Sequence, residues 1–222
     1  MSFDLIIFGG TGDLAWRKLM PALFQAFRHG SLPEGGRIIG VARDNHTNEQ
    51  YRNLISARFD EVSIDKRPST DEFERFCQLL FYQRMDLSNP QDYQALADNV
   101  KERNANVLIM YLATAPALFT KVCEQIAEAG LNGPNTRVVL EKPLGSDLAS
   151  NRAINDAVSK VLNENQIFRI DLFPLFQTPL LQTFMVDQEG ILWLGSSRGL
   201  ASNNSQIFQN YSSRETGFLG NE

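Results

Sequence analysis

The feature that most constrains this chain is a regular alternation of short apolar runs with longer segments of helical periodicity. It extends from residue 1 to about residue 171 of 222. Between the apolar runs, apolar residues recur at the spacing typical of helices with one buried face. Strands that alternate with helices form parallel sheets covered on both faces. We therefore expect a Rossmann-like, doubly wound α/β fold, with strands near residues 3–8, 37–42, 80–85, 107–112, 137–140 and 166–170.

The character of the sequence changes after Asp171. Residues 172–179 carry Pro174 and Pro179 inside an apolar run, which helix interiors and central strands both exclude. Residues 195–213 are rich in Ser, Asn and Gly and have no clear period. We expect an irregular tail over 172–222. Within the first part, Ser146 is the expected N-cap of the last helix.

Composition excludes several classes of function. The chain has 21 Lys and Arg against 26 Asp and Glu, so it offers no basic face for nucleic acid or an anionic membrane. No apolar run of about 18 residues is present, and the first residues do not form a secretory signal. Cys77 and Cys123 lack metal-ligand spacing. We expect a cytoplasmic protein with reduced thiols and no metal.

A glycine-rich segment, GGTGDLA at residues 9–15, lies between the first strand and the first helix. A dinucleotide-binding turn needs a residue with positive φ, a backbone close to the pyrophosphate and a small residue where helix meets strand. Gly9, Gly12 and Ala15 can fill these positions, and the helix N-terminus offers N–H groups to phosphates. The spacing is not that of a Walker loop. The alternative is a tight turn that binds no ligand.

The end of the second strand indicates which coenzyme is bound. An NAD-binding protein usually has Asp or Glu there for the ribose hydroxyls, whereas an Arg accommodates the 2′-phosphate of NADP. This chain has Arg43, which favours NADP. Asp44 follows directly and partly offsets that preference. The alternative for Arg43 is a solvated charge at a strand end.

The same segments carry a more specific resemblance. The glycine-rich segment and RKLMPAL at 17–23 resemble the N-terminal signature of glucose-6-phosphate dehydrogenases. EKPLG at 141–145 and Arg169-Ile170-Asp171 resemble later motifs of that family, and order and spacing agree over residues 1–171. The resemblance implies oxidation of glucose 6-phosphate to 6-phosphogluconolactone with NADP. It implies a place at the entry to the pentose phosphate pathway, which is part of glucose and carbohydrate metabolism.

The resemblance also implies coenzyme contacts for individual residues. Arg43 corresponds to the 2′-phosphate contact of the family, and Lys18 to a lysine near coenzyme and substrate. The segment from Ala113 to Pro116 corresponds to the one beside the nicotinamide, although its middle residues depart from the commoner double proline. The residues that correspond to the pyrophosphate loop are Gly9, Thr11, Gly12, Asp13 and Leu14.

Two further residues correspond to the substrate side of the family site. Lys142 matches the lysine of the E-K-P motif, which contacts coenzyme and substrate, and Pro143 shapes that turn. Without the resemblance, the alternative for Lys142 is a surface lysine paired with Glu141. Asp171 matches a residue that orients a histidine, but that histidine is absent here.

The resemblance stops after Asp171. The family continues with His-Tyr-Leu-Gly-Lys, which binds the substrate phosphate, and with a large domain that carries the catalytic histidine. We expect a coenzyme domain over 1–171 and a tail over 172–222 that comes from a frameshift or a fusion. The substrate domain and the family's homo-oligomer interface are expected to be missing, which leaves a truncated, inactive enzyme. The alternatives are a non-catalytic NADP-binding module and an oxidoreductase for another substrate class.

Overall fold

A computed structural model of the chain describes residues 2–33, 35–60, 69–141, 144 and 147–170, and four strands between 181 and 212. The first part is a six-stranded sheet with β1 (Phe3–Phe8), β2 (Arg37–Ala42), β3 (Leu80–Arg84), β4 (Val107–Leu112), β5 (Thr136–Glu141) and β6 (Ile167–Ile170). Its helices are α1 (Met20–Arg28), α2 (Asn48–Asp60), α3 (Thr70–Cys77), α4 (Pro90–Arg103), α5 (Phe119–Glu128) and α6 (Leu148–Val161).

The strand order confirms the doubly wound fold predicted from the sequence. The strands lie in the order β3-β2-β1-β4-β5-β6, and each neighbouring pair is parallel. The chain therefore moves outward from β1 to β3 and then returns to place β4 on the other side of β1. At such a switch point the loops after the two central strands diverge and leave a crevice at the carboxyl edge of the sheet.

Burial on both faces explains the mostly apolar sequences of the central strands, in which Asp4 of β1 is the one charged residue. Every residue of β1 and of β4 is buried, as expected for parallel strands covered by helices on both sides. One core contains Ile7 and Phe24, and the opposite core contains Ile6 and Ile126. The side chains of one strand thus alternate between two cores, which fixes its register.

The helix termini follow local capping signals, with one correction. Ser69 and Glu72 form a capping box at the start of α3. At α6 the cap is Asp147, which accepts a hydrogen bond from the amide of Ser150 at 2.7 Å, rather than the predicted Ser146. Both residue types cap well, and Asp147 has Ser150 at the position that completes a capping box, so the helix begins one residue later.

The amino edge of the sheet contains a buried ion-pair network. The Asp4 carboxylate has no exposed surface and accepts two hydrogen bonds from Arg37, at 3.0 and 2.8 Å. Arg103 lies 3.5 Å from the same carboxylate, and Asn99 accepts a further hydrogen bond from Arg37 at 2.8 Å. The Asp4 charge is therefore compensated within the fold, by residues far apart in sequence.

The tail differs from the irregular segment that the sequence predicted. It contains an antiparallel sheet in the order β10-β9-β8-β7, formed by β7 (Leu181–Val186), β8 (Leu192–Ser196), β9 (Gly199–Asn204) and β10 (Ile207–Ser212). Two residues separate β8 from β9, and two separate β9 from β10, which is a hairpin spacing. The Gly and Asn residues of β9 have low strand propensity, so composition did not reveal these strands. In the described part of the chain, no helix is long and apolar enough to cross a membrane.

Candidate functional site

A cleft of about 580 Å³ lies at the carboxyl edge of the parallel sheet, where β1 to β4 end. Its position is that of the switch-point crevice where open α/β sheets bind ligands. Its lining comes from the glycine-rich loop, from the end of β2 and the residues after it, from residues 85–88 after β3, and from Thr114, Leu118, Lys121 and Val122.

The glycine-rich loop has the conformation expected of a tight strand-to-helix turn. Gly9 has a φ of +84°, and a Cβ there would lie 2.8 Å from the carbonyl oxygen of Ala113. The Gly12 amide donates to the Gly9 carbonyl at 2.8 Å and closes the turn. A Cβ at Gly12 would meet only that carbonyl within 4 Å, at 3.1 Å. The turn therefore requires glycine at residue 9, whereas residue 12 lies beside open space in the cleft.

Two aromatic side chains hold the loop from behind. Trp16 Nε1 donates to the Thr11 carbonyl at 2.6 Å, and the Tyr51 hydroxyl donates to the Gly10 carbonyl at 3.2 Å. Burial raises the pKa of Tyr51 well above its ordinary value, so this hydroxyl keeps its proton. Because both carbonyls are already paired, they are not directed at an incoming anion. Trp16 lies in a π-helical turn, Ala15–Leu19, that leads directly into α1.

Arg43 and Asp44 occupy the cleft at the end of β2, and both are exposed. Asp44 Oδ2 accepts a hydrogen bond from Thr11 Oγ1 at 2.9 Å, which ties the carboxylate to the glycine-rich loop. The Tyr82 hydroxyl donates to the Asp44 carbonyl at 2.6 Å, and burial raises the pKa of Tyr82 to about 12. The fold thus fixes Asp44 on both sides, beside Arg43 in the cleft lining.

The residues after β3 add a second acidic group that sequence reasoning missed. Asp86 Oδ1 accepts hydrogen bonds from the amide and the hydroxyl of Ser88, at 2.9 and 2.7 Å. These bonds hold the pKa of Asp86 below its ordinary value of 3.8, and the charges of Arg43 and Arg84 lower it further. The carboxylate is therefore ionised in the cleft at neutral pH. The charges that act on Asp86 come from two different strand ends, Arg43 after β2 and Arg84 in β3, so no local sequence pattern indicated this group.

The structure brings four of the sequence-predicted residues together. Gly9, Thr11, Gly12 and Arg43 all line the cleft, although they come from two different strand ends. This convergence is what a nucleotide-binding edge requires, because the ligand spans the ends of neighbouring strands.

The remaining predicted residues lie around this group or outside the described residues. Asp13 forms an exposed ion pair with Arg17 at 2.6 Å, and Leu14 packs against the core. Lys18 is half-buried in the π-helical turn, and Pro116 begins a 3-10 turn, Pro116–Leu118. Lys142, Pro143 and Asp171 lie outside the described residues.

The end of β4 supplies two buried hydroxyl groups without partners. Within the described residues, Tyr111 Oη and Thr114 Oγ1 are buried and make no hydrogen bond. Burial, with the charge of Glu141 as a smaller cause, raises the pKa of Tyr111 well above its ordinary value. Buried polar atoms normally find partners, so an unpaired hydroxyl on the cleft residue Thr114 fits a site built for a polar ligand.

Comparison with known proteins agrees with this geometry. The model of the family described as glucose-6-phosphate dehydrogenase, NAD-binding domain, matches residues 6–174. The chain belongs to the glucose-6-phosphate dehydrogenase family. This membership confirms the resemblance drawn from the glycine-rich segment and the later motifs, and it makes the cleft part of an NAD-binding domain of an oxidoreductase family.

The chain corresponds to only part of the length of similar dehydrogenases. It is 41% identical to glucose-6-phosphate 1-dehydrogenase of Mycolicibacterium smegmatis, over 86% of this chain and 39% of that protein. It is 40% identical to the enzyme of Rhizobium meliloti, over 76% of this chain and 34% of that protein. The chain thus spans less than two fifths of these relatives. The Mycolicibacterium match is too long to end at Asp171, so similarity to that glucose-6-phosphate dehydrogenase continues into the tail.

Solved glucose-6-phosphate dehydrogenases have the same fold in this region. The enzyme from Mycobacterium avium has a TM-score of 0.68 and 34% identity, covering 81% of this chain and 38% of that chain. A glucose-6-phosphate dehydrogenase solved in complex with its substrate glucose-6-phosphate has a TM-score of 0.68 and 27% identity, covering 79% of this chain and 40% of that chain.

Proposed function

We propose that the cleft binds NADP and prefers it to NAD. The observation that carries this proposal is that Arg43 lines the cleft at the end of β2, where NAD-binding proteins usually have a carboxylate. A hydrogen bond to a charged group contributes about 1.5–3 kcal/mol. That energy corresponds to a preference of roughly 10- to 150-fold. Asp44, one residue later, reduces this preference without cancelling it, because Thr11 already donates to its carboxylate.

The residues of the cleft fit the successive parts of this coenzyme. Arg43 would hold the 2′-phosphate, and the open side of Gly12 together with the helix start after it would face the pyrophosphate. The unpaired Thr114 hydroxyl would serve a polar group of the coenzyme. When bound, the coenzyme would accept a hydride from a substrate CH–OH group.

The substrate that we propose for the complete family site is glucose 6-phosphate, oxidised to 6-phosphogluconolactone. Support comes from the relatives named for this activity and from the neighbour solved with glucose-6-phosphate. Lys142 is the residue of this chain that we assign to the substrate and coenzyme side.

The two cysteines are free thiols, and we propose that the protein acts in the cytoplasm, where thiols stay reduced.

A polypeptide of these 222 residues is expected to bind NADP without oxidising glucose 6-phosphate. Oxidation needs a base for the hydroxyl proton, and a positioned base contributes roughly 10²–10⁴-fold. His29 is exposed at the end of α1, and His46 lies against the Tyr82 ring. Neither histidine lines the described cleft. This proposal therefore predicts coenzyme binding without turnover.

The test is calorimetric titration of the chain with NADP and with NAD, followed by an absorbance assay for NADPH. We expect NADP to bind more tightly, and Arg43→Ala to reduce NADP affinity by about 10- to 150-fold while NAD affinity stays nearly constant. Arg75→Ala on α3 is the matched control, because Arg75 pairs with Asp71 and does not line the cleft. Equal losses for both coenzymes would refute the assignment of Arg43. Turnover near 1 s⁻¹, within the usual enzyme range, would refute the expected inactivity.

We also propose a domain division at residue 171, with residues 172–222 as a tail after the coenzyme domain. The parallel sheet ends with β6 at Ile170, and the strands after it form a sheet of their own. Limited proteolysis is expected to cut first within 172–222 and to leave a resistant core of about residues 1–171. A tail as resistant as the core would contradict this division.

A further inference from the structure

Arg43 alone does not balance the negative charges at the end of the cleft where the 2′-phosphate is proposed to bind. Asp44 follows Arg43 directly, and Asp86 lies near enough for the Arg43 charge to stabilise its ionised form. Two carboxylates therefore accompany one lining arginine on this side of the cleft. A phosphate monoester adds about 1.5–2 negative charges at neutral pH. The other lining cation, Lys121, belongs to α5; where β2 and β3 end, Arg43 is the single cation among the described lining residues, so the local field there would oppose the ligand that Arg43 is proposed to bind.

Arg84, the last residue of β3, supplies a second cation at this place. It pairs in register with Ala42, the residue before Arg43. Arg84 Nε donates to the Arg43 carbonyl at 3.2 Å, so the Arg84 guanidinium is attached to the backbone of Arg43. Its charge, like that of Arg43, lowers the pKa of the cleft residue Asp86, although Arg84 itself is exposed beside the lining rather than part of it.

We propose that Arg84 is a second specificity-determining residue, which acts with Arg43 to attract and hold the 2′-phosphate of NADP. The inference depends on the proposed preference for NADP and deepens it. The bond through Nε fixes the orientation of Arg84 and leaves its two Nη groups for an anion, as a planar guanidinium allows. With Arg84 present, Asp44 and Asp86 are matched by two arginines, so binding of the phosphate is not opposed by a net negative site.

The experiment measures the affinities of wild type, Arg84→Gln, Arg84→Lys and Arg43→Ala for 2′,5′-ADP and for 5′-AMP. These probes differ only in the 2′-phosphate and contain no nicotinamide, so only the adenosine end is tested. We expect Arg84→Gln to weaken 2′,5′-ADP about 10-fold, which is the lower end for a charged hydrogen bond, and to leave 5′-AMP unchanged. Arg84→Lys should recover part of the loss, because it keeps the charge. Arg75→Gln on α3 is the control for overall charge.

The outcomes separate this inference from the proposed function. If wild type prefers 2′,5′-ADP and Arg43→Ala removes the preference, but Arg84→Gln does not change it, NADP preference stands and the role of Arg84 is refuted. If Arg84→Gln weakens both probes equally, Arg84 supports only the backbone of Arg43, and the inference is likewise refuted. If wild type shows no preference between the probes, both proposals are refuted.

Discussion

The two edges of the parallel sheet use the same residue types for different purposes. At the amino edge, Asp4 and Arg37 bond each other and are almost completely buried. At the carboxyl edge, Arg43 and Asp44 are exposed in the cleft, and Asp44 bonds Thr11 rather than the arginine beside it. An Asp–Arg pair that satisfies itself contributes to the fold, whereas an arginine that the fold leaves in a cleft can bind an anion.

Backbone and hydroxyl partners account for this difference. The cleft carboxylates are held by the Thr11 and Ser88 hydroxyls and by the Ser88 amide. Neutral donors fix these carboxylates without consuming a guanidinium. The charges of the amino edge should therefore determine stability, and those of the carboxyl edge should determine ligand affinity.

The largest expected effect is on stability at the amino edge. Asp4→Asn should lower the free energy of unfolding by about 3–5 kcal/mol, because it removes one partner of a buried ion pair and leaves Arg37 uncompensated. Urea denaturation measures this change. Asp44→Asn is the matched substitution at the other edge and should change stability by less than about 0.5 kcal/mol. Equal losses of stability for the two variants would remove the distinction between the edges.

The second expected effect is a loss of coenzyme affinity in the glycine-rich loop. Its free energy is smaller than the loss of stability expected at the amino edge. Gly12→Val places a branched side chain on the open side of the turn and should weaken NADP and NAD alike, by at least about 100-fold, or roughly 2.7 kcal/mol. Calorimetry measures both affinities. Gly133→Ala serves as the control, because Gly133 does not line the cleft. The added Cβ would contact only Asn135 Oδ1, at 3.3 Å. Unchanged affinity in Gly12→Val would mean that no pyrophosphate passes this residue.

The smallest expected effect concerns the titration of Asp86. Ser88→Ala removes the side-chain hydrogen bond, so the pKa of Asp86 should rise toward its ordinary value of 3.8. A lowered carboxyl pKa stabilises the fold above the unfolded pKa, and this contribution is lost as the pH falls through the folded pKa. Because Asp86 is exposed, we expect the shift in a carboxyl NMR titration and little change in acid stability. An unchanged pKa would show that the Ser88 hydroxyl does not hold this carboxylate.

Local signals in the sequence predicted most of the parallel sheet and part of the site. The mostly apolar sequences of β1 and β4 follow from burial on both faces, and the loop after β1 carries its own glycine pattern. The contact between Asp4 and Arg37 was not predictable, because the residues are paired only through strand register. The site at Asp86 was missed for the same reason. Its importance depends on neighbouring β2, not on the sequence around it.

The most direct test of the account is hydrogen exchange with and without NADP. We expect slower exchange, on ligand binding, in residues 9–14, 41–44 and 85–88, which surround the cleft. We expect no change in residues 2–5, 35–37 and 103–106 at the amino edge, where Asp4, Arg37 and Arg103 already satisfy one another. Protection at the amino edge, or no protection at the three cleft segments in saturating NADP, would contradict the claim that the carboxyl edge is the coenzyme site.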